Sequence, residues 1–172
     1  MLHTTFAKAK EAGACIASYK KMAKAMGGVQ KYGEDTPIPL DKVLEVCGLD
    51  DALWSLRIVI EPAEREIRLF FCDCAERVLP IFEREYPHDK RPREVLETSR
   101  RFALGQATRQ KLTVAEAVAW VVAGTAGEAV AATAAEAEAV VWAAAGTAER
   151  EWKRSRFLKL LQAYEEPKKE AQ

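Results

Sequence analysis

The chain has 172 residues, 49% of them hydrophobic and 30% charged, with 26 basic and 26 acidic side chains and no formal net charge. This is the composition of an ordinary soluble globular protein of about one domain, and the charge balance argues against a nucleic-acid or membrane binder, though not against a local patch. No run reaches the ~20 apolar residues of a membrane span, and the N-terminus lacks a positive-then-apolar signal. The expected location is therefore cytoplasmic, with the four cysteines (Cys15, Cys47, Cys72 and Cys74) reduced.

Thr4 or Thr5 can cap a first helix running to about Met26, with Phe6, Ala9, Ala12 or Gly13, Ile16, Tyr19 and Ala23 as a thin apolar stripe. Lys8, Lys10, Lys20, Lys21 and Lys24 make it basic. Gly27-Gly28 ends it. Residues 29–39 read as a loop, where Pro37 and Pro39 push their predecessors towards extended geometry. Leu40–Val46 fits a short helix stopped by Gly48. Asp50 can cap the next, which holds Asp51, Leu53, Trp54, Leu56 and Ile58. Nothing in this region alternates with period two for long enough to make a strand.

Residues 67–105 carry the densest set of large apolar side chains. Ile67, Phe71, Cys74, Val78 and Phe82 recur at spacings of three and four, a helix stripe widened by Phe70, Ala75, Leu79 and Ile81. Pro62 suits the first turn of this helix. Pro80 lies inside the stripe and should kink it, because it removes a hydrogen bond to the carbonyl of Glu76 and crowds that carbonyl. Tyr86-Pro87-His88-Asp89 ends the helix. Pro92 starts another, with Glu94 near its positive end, Arg100-Arg101 near its negative end and Gly105 as its stop. The short polar turn predicts an antiparallel helix pair.

After Gly105 the composition changes. Residues 107–149 include 17 alanines, which raises helix propensity and lets helix axes approach closely. An internal repeat offset by 22 residues relates Glu116–Glu128 to Glu138–Arg150. As one continuous helix the repeat leaves Trp120 and Trp142 nearly in line. As a broken helix it makes Gly124 and Gly146 C-caps, and Thr125 and Thr147 N-caps; Thr113 and Thr125 each have a glutamate at the capping-box spacing. An unbroken helix over 113–163 would span ~75 Å, so the broken reading is preferred, with helices at 113–123, 126–145 and 148–164. The fold class expected is an all-α multi-helix bundle with a kinked central helix and an Ala-rich helical C-terminal half. Residues 1–105 would form the N-terminal half, 106–164 the helices packing on it, and 165–172 a frayed charged tail.

Cys72-x-Cys74 is one residue short of the usual zinc or redox spacing, and two residues apart on a helix the side chains lean to different faces. No second ligand pair accompanies it, so no metal or cofactor is expected. No phosphate loop follows a strand, and no catalytic set is assigned. The side chains that group best are Asp73, Glu76, Arg77, Glu83, Arg91 and Arg93, together with Asp50, Asp51 and Arg57 beside Trp54. They read either as a salt-bridge network, with Asp73 and Arg77 paired four apart, or as a polar recognition surface.

Residues 72–105, CDCAERVLPIFEREYPHDKRPREVLETSRRFALG, with the Ala- and Trp-rich tail behind them, resemble the helical immunity proteins found near polymorphic toxins and phage and prophage proteins that share this motif. The upstream GGVQKYGEDTPIPL (27–40) and GLDDALWSLR (48–57) resemble the phage-type members more. The resemblance implies a non-enzymatic inhibitor that binds one protein partner, a toxin or a host defence protein, stoichiometrically and by occlusion. It carries no catalytic residues over to this chain. Inhibitors of this kind are often strongly acidic. The neutral charge here departs from that pattern and disfavours a nucleic-acid mimic.

Two other readings come from the residues themselves. A crevice could gather Arg77, Arg91 and Arg93 around an anionic small ligand or nucleotide. The basic first helix and Arg150–Lys159 could touch nucleic acid, with a steep salt dependence, although the net charge disfavours it. The same charge segregation predicts that the first helix packs beside the Ala-rich helices, its lysines edging against Glu116, Glu128, Glu136, Glu138 and Glu149, with Trp120 and Trp142 anchoring the seam. Trp142→Ala is then expected to cost about 3–5 kcal/mol, read from denaturant unfolding; a variant that unfolds with the wild type would remove the indole from the seam.

Overall fold

The computed structural model describes residues 1–115 and 138–164. The protein is all-α, with one small antiparallel sheet of two two-residue strands among the described residues. The chain divides into two compact units: Met1–Ala63 with Arg154–Gln172, and Glu64–Lys153.

In the first unit, strand β1 (His3–Thr4) pairs with β2 (Ile38–Pro39) in the register His3↔Pro39 and Thr4↔Ile38. The proline pair around Ile38 gives β2 its extended backbone. β1 is also bonded on the side of residues 58–61. Ile60 N–H donates to the His3 carbonyl (3.0 Å), Thr4 Oγ1 donates to the Ile58 carbonyl (3.1 Å), and both oxygens of Glu61 engage His3, one at its backbone N–H (2.8 Å) and one at Nδ1 (2.7 Å). The strands were not legible from the sequence because two residues show no period.

The first helical segment is two helices, not one. Thr5 caps α1 (Phe6–Glu11), its hydroxyl accepting from Lys8 N–H. Gly13 then takes φ +72°, a left-handed conformation, and α2 (Ile16–Ala25) begins after Cys15. The break turns Ile16 out to solvent, whereas Phe6 is buried with its ring edge-on to Tyr19 and Tyr32. The stretch read as a loop contains a one-turn helix, α3 (Val29–Tyr32), as well as β2.

α4 (Leu40–Cys47) ends at Gly48 as expected, and the same glycine starts α5 (Leu49–Ser55). Asp50 is therefore inside the first turn rather than at the cap, where it and Asp51 favour the positive end of the helix. A 3₁₀ turn at Leu56–Ile58 leads out. Leu2, Ile38, Leu40, Leu44, Ala52 and Leu56 are buried in this unit, as are Phe157 and Leu161. Met1 amino nitrogen donates to the Tyr164 carbonyl (2.6 Å), and Tyr164 Oη donates to the Pro62 carbonyl (3.0 Å).

The second unit is built on α6 (Glu64–Glu85) and α7 (Arg91–Ala103). α6 starts after Pro62, which stands outside the first turn, and is helical through Pro80. Pro92 occupies the first turn of α7, Glu94 lies in that turn, and Arg100 and Arg101 lie in the last. The two helices run antiparallel: Arg93 meets Glu83, whereas Arg100, seven residues on, meets Glu76 and Asp73.

The buried side of α6 differs from the expected stripe. Phe70, Cys72 and Leu79 are buried, and Cys72 and Leu79 cluster with Leu96 of α7. Phe71 and Ile81 are 48% and 47% exposed. α6 is apolar on more than one side, and α7 takes the side where Asp73, Glu76 and Glu83 find arginines.

Helix α8 is described over 109–115. Its start is satisfied by Thr108, whose hydroxyl accepts from Lys111 N–H (3.4 Å). Thr113, expected as a cap, is inside the helix and donates to the Arg109 carbonyl (3.1 Å). α9 (Glu138–Ala163) is continuous through Gly146-Thr147, which corrects the expected break there. An interior glycine costs about 1 kcal/mol relative to alanine, a penalty that flanking alanines can carry. Trp120, Gly124 and Thr125 lie outside the described residues, as do Glu116, Glu128, Glu136 and the Trp142 side chain, so the Ala-rich seam falls there too. Among the described residues, no helix is long and apolar enough to cross a membrane.

Gly48 serves two helices at φ +95°, and a Cβ built on it would meet nothing within 4 Å. Gly48→Ala should therefore cost about 1–3 kcal/mol from backbone strain alone, seen as a lower urea midpoint with an unchanged slope; a midpoint equal to wild type would show that the α4–α5 junction can relax.

Candidate interaction surface

The polar residues singled out in the sequence fall into both units. Asp50 and Asp51 are on α5, and Asp51 accepts a hydrogen bond from Ser18 Oγ (2.8 Å). The Arg57 guanidinium lies over the Trp54 ring, 5.2 Å from its centroid, a cation–π contact. All three belong to the first unit. Asp73, Glu76, Arg77, Arg91 and Arg93 belong to the second.

Within the second unit six arginines pair with carboxylates. Arg93 makes two parallel hydrogen bonds to Glu83, from Nε and from a terminal nitrogen, both 2.6 Å. Arg91 grips Asp89 in the same way at 2.9 and 2.6 Å. A single terminal nitrogen of Arg100 bonds both Glu76 (2.6 Å) and Asp73 (3.2 Å), which brings those two expected residues together. Arg77 does not pair with Asp73, four residues back. It donates through Nε to Glu149 and stacks on Trp152, 4.8 Å from the ring centroid. Arg109 and Arg68 both reach Glu64 at 3.3 Å, and both lie over Phe102.

Fork-to-fork pairing of a guanidinium and a carboxylate favours the charged state of both partners. The hydrogen bond from Arg93 holds the Glu83 carboxyl below its ordinary value, and that from Arg91 does the same for Asp89. Both arginines are raised in turn. Arg77, Arg91 and Arg93 are thus each paired with a carboxylate. The network reading of these residues holds for Asp73, Glu76, Arg77, Arg91 and Arg93. Glu83, grouped with them in the sequence, is the partner of Arg93. The sequence missed Asp89, Arg100, Glu149 and Trp152, because most are far from the i+4 spacing at which ion pairs are legible.

A cavity in the first unit, about 50 Å³, lies among Phe6, Tyr19, Met22, Ile38 and Trp54. Ligand pockets for small molecules measure about 300–1,000 Å³, so it holds no nucleotide. Cys72 is buried, and burial pushes its thiol up. Cys15 is exposed at the start of α2, where the N–H groups of Ser18 and Ala17 hold its thiol down. Among the described residues, no three His, Cys, Asp or Glu side chains are placed to hold a metal.

Residues 59–152 match the family model described as Imm-5 like putative immunity protein, and that is more than half of the chain. The chain belongs to this family. Neither the curated proteins nor the solved structures contain a match. The matched segment takes in α6, α7 and the described residues of α8, while the stretches 27–40 and 48–57 lie outside it.

The Arg–carboxylate pairs set a pH response. A carboxylate whose folded pKa is depressed adds stability above its unfolded pKa and loses it as pH falls through the folded one. For Glu83 and Asp89 that loss falls below the ordinary values of 4.5 and 3.8. Arg93→Gln should move the Glu83 carboxyl titration, followed by NMR, back up towards 4.5; a Glu83 titration unchanged by the substitution would place the cause elsewhere.

Proposed function

We propose that this immunity-family protein acts in the cytoplasm by binding one protein toxin stoichiometrically and covering its working surface, without catalysis. The observation that carries the reading is the family match over residues 59–152. The α6–α7 pair inside that segment supports it: a helix hairpin fixed by paired charges is a firm platform for a partner, and it offers exposed Phe71 and Ile81 beside it. The arginines that an anionic ligand would draw on are each paired with a carboxylate, which favours the protein-partner reading over the small-ligand one.

The upstream stretches 27–40 and 48–57 favour a second identity for the partner. Their likeness to phage-type proteins points to a host defence protein and to carriage on a phage or other mobile element. The mode of action, occlusion at one-to-one stoichiometry, is the same. Nucleic-acid contact through the lysines of α1 and α2 is the weaker option, since the chain has no net charge to draw a polyanion.

A tagged full-length chain purified from its native host should bring down one protein at a one-to-one ratio, and co-expression should relieve that protein's toxicity. Repeated purifications with no partner, or a partner whose toxicity is unchanged by co-expression, would overturn the reading. Gel shift at low salt separates the nucleic-acid option, for which no retardation is expected.

A further inference from the structure

The first unit carries a run of one sign of charge. From Ala12 to Gly33 there are four lysines and no acidic residue. Three of the lysines are on α2, whose outer face reads Ile16, Ala17, Lys20, Lys21, Lys24 and Ala25, all exposed. The spacing i, i+1, i+4, i+5, i+8, i+9 is one stripe of an α-helix. Met22, off that stripe, is buried. Lys31 of α3 joins the same end, since a Cβ built on Gly27, just past α2, would meet Lys31 Cδ at 3.9 Å.

None of these four lysines makes an ion pair among the described residues, whereas six arginines of the second unit do. Like charges three and four apart on a helix weaken it. The helix dipole favours a cation in the last turn, but on α2 that accounts for Lys24 alone. Asp51 reaches α2 from α5, yet it accepts from Ser18 Oγ (2.8 Å) and not from a lysine. The cluster is therefore a cost to the fold that an outside counter-charge would offset.

Ile16 decides what kind of anion fits. It is 72% exposed, the most of any large apolar side chain among the described residues. An isoleucine gains nothing against a phosphate backbone, and the stripe has no arginine, hydroxyl, amide or aromatic side chain to meet sugar or base. An anionic lipid surface draws on apolar side chains along a whole helix face, and here they stand at one end. A protein surface uses both parts: an apolar contact at Ile16 and Ala17, and charge beside it.

We propose that the outer face of α2, with Lys31, docks on an acidic surface of the protein toxin, whose carboxylates meet the four lysines and whose apolar recess takes Ile16. The inference rests on the reading that the partner is a protein toxin, and adds a face of this chain that holds it and the charge of the surface held. α2 lies outside residues 59–152, so this contact is additional to any made by the α6–α7 pair.

The test uses the full-length chain and the protein recovered with it. Lys20→Glu with Lys24→Glu should weaken the complex about tenfold, and Ile16→Ser about fivefold. Lys111→Glu with Lys159→Glu makes the same change in net charge at exposed lysines elsewhere, and should stay within about twofold of wild type. An equal loss in this control pair overturns the face. Circular dichroism melts should follow the wild type, since the replaced side chains are exposed. If a variant melts early, the wild-type complex decides. A carbodiimide joins a lysine amine to a carboxylate in contact with it, and mass spectrometry locates the joins. Joins from Lys20, Lys21, Lys24 or Lys31 to Asp or Glu of the toxin support the face. Joins from other lysines only, or between two copies of this chain, overturn it. Full affinity in both α2 variants overturns the face and leaves the proposed function standing. A nucleic acid recovered in place of a protein, or no partner at all, overturns both.

Discussion

The second unit depends on the register of α6 against α7. Three acidic side chains on α6 meet two arginines on α7, and each pair is possible at only one offset. The apolar contribution between the helices is small: Cys72 and Leu79 on one side and Leu96 on the other are the clustered buried side chains. The ion pairs are partly exposed and contribute little stability each, about 0–1 kcal/mol. The bidentate geometry of Arg93 on Glu83 makes that pair selective instead. A one-turn slip would leave Arg93 and Glu83 without partners while gaining no compensating apolar contact.

What was legible in the sequence was local turn chemistry. Tyr86–Asp89, Pro92 and Gly105 mark the limits of α6 and α7 correctly because prolines and glycines act through their own backbone, whatever packs nearby. Thr5, Gly27-Gly28 and Gly48 were legible for the same reason. Glycine alone is ambiguous, however. Gly13 stood in a plausible stripe and breaks the first helix, whereas Gly146 stood at a plausible cap and lies inside α9. The residue permits both conformations, and only the surrounding structure selects the sign of φ.

Side-chain orientation was less legible. Periodicity identified α6 as amphipathic but could not choose between the face of Phe71 and the face of Leu79, because apolar residues spread over more than half of the helix. The choice was made by charges on another helix. Likewise the arginines picked out as a recognition set were chosen for their type and proximity in sequence. Their partners lie two, ten and seventy-two positions away, and a pair seventy-two positions apart leaves no periodic trace.

The pairing of the charges has a consequence for recognition. A protein that binds a polyanion, or imitates one, keeps an excess of one sign on its surface. This chain has no net charge, and its most conspicuous cations are neutralised in place. Its long-range field is therefore weak, and encounter with a partner proceeds without strong steering. Selectivity must then come from what the surfaces do at contact: apolar side chains that need a complementary surface, and a few unpaired charges that penalise a partner lacking the opposite sign. A surface charge with no partner of its own is suited to that role. Left facing water it costs nothing. Covered by a partner without a matching group it loses hydration with no return, so it rejects the wrong surface more strongly than it attracts the right one.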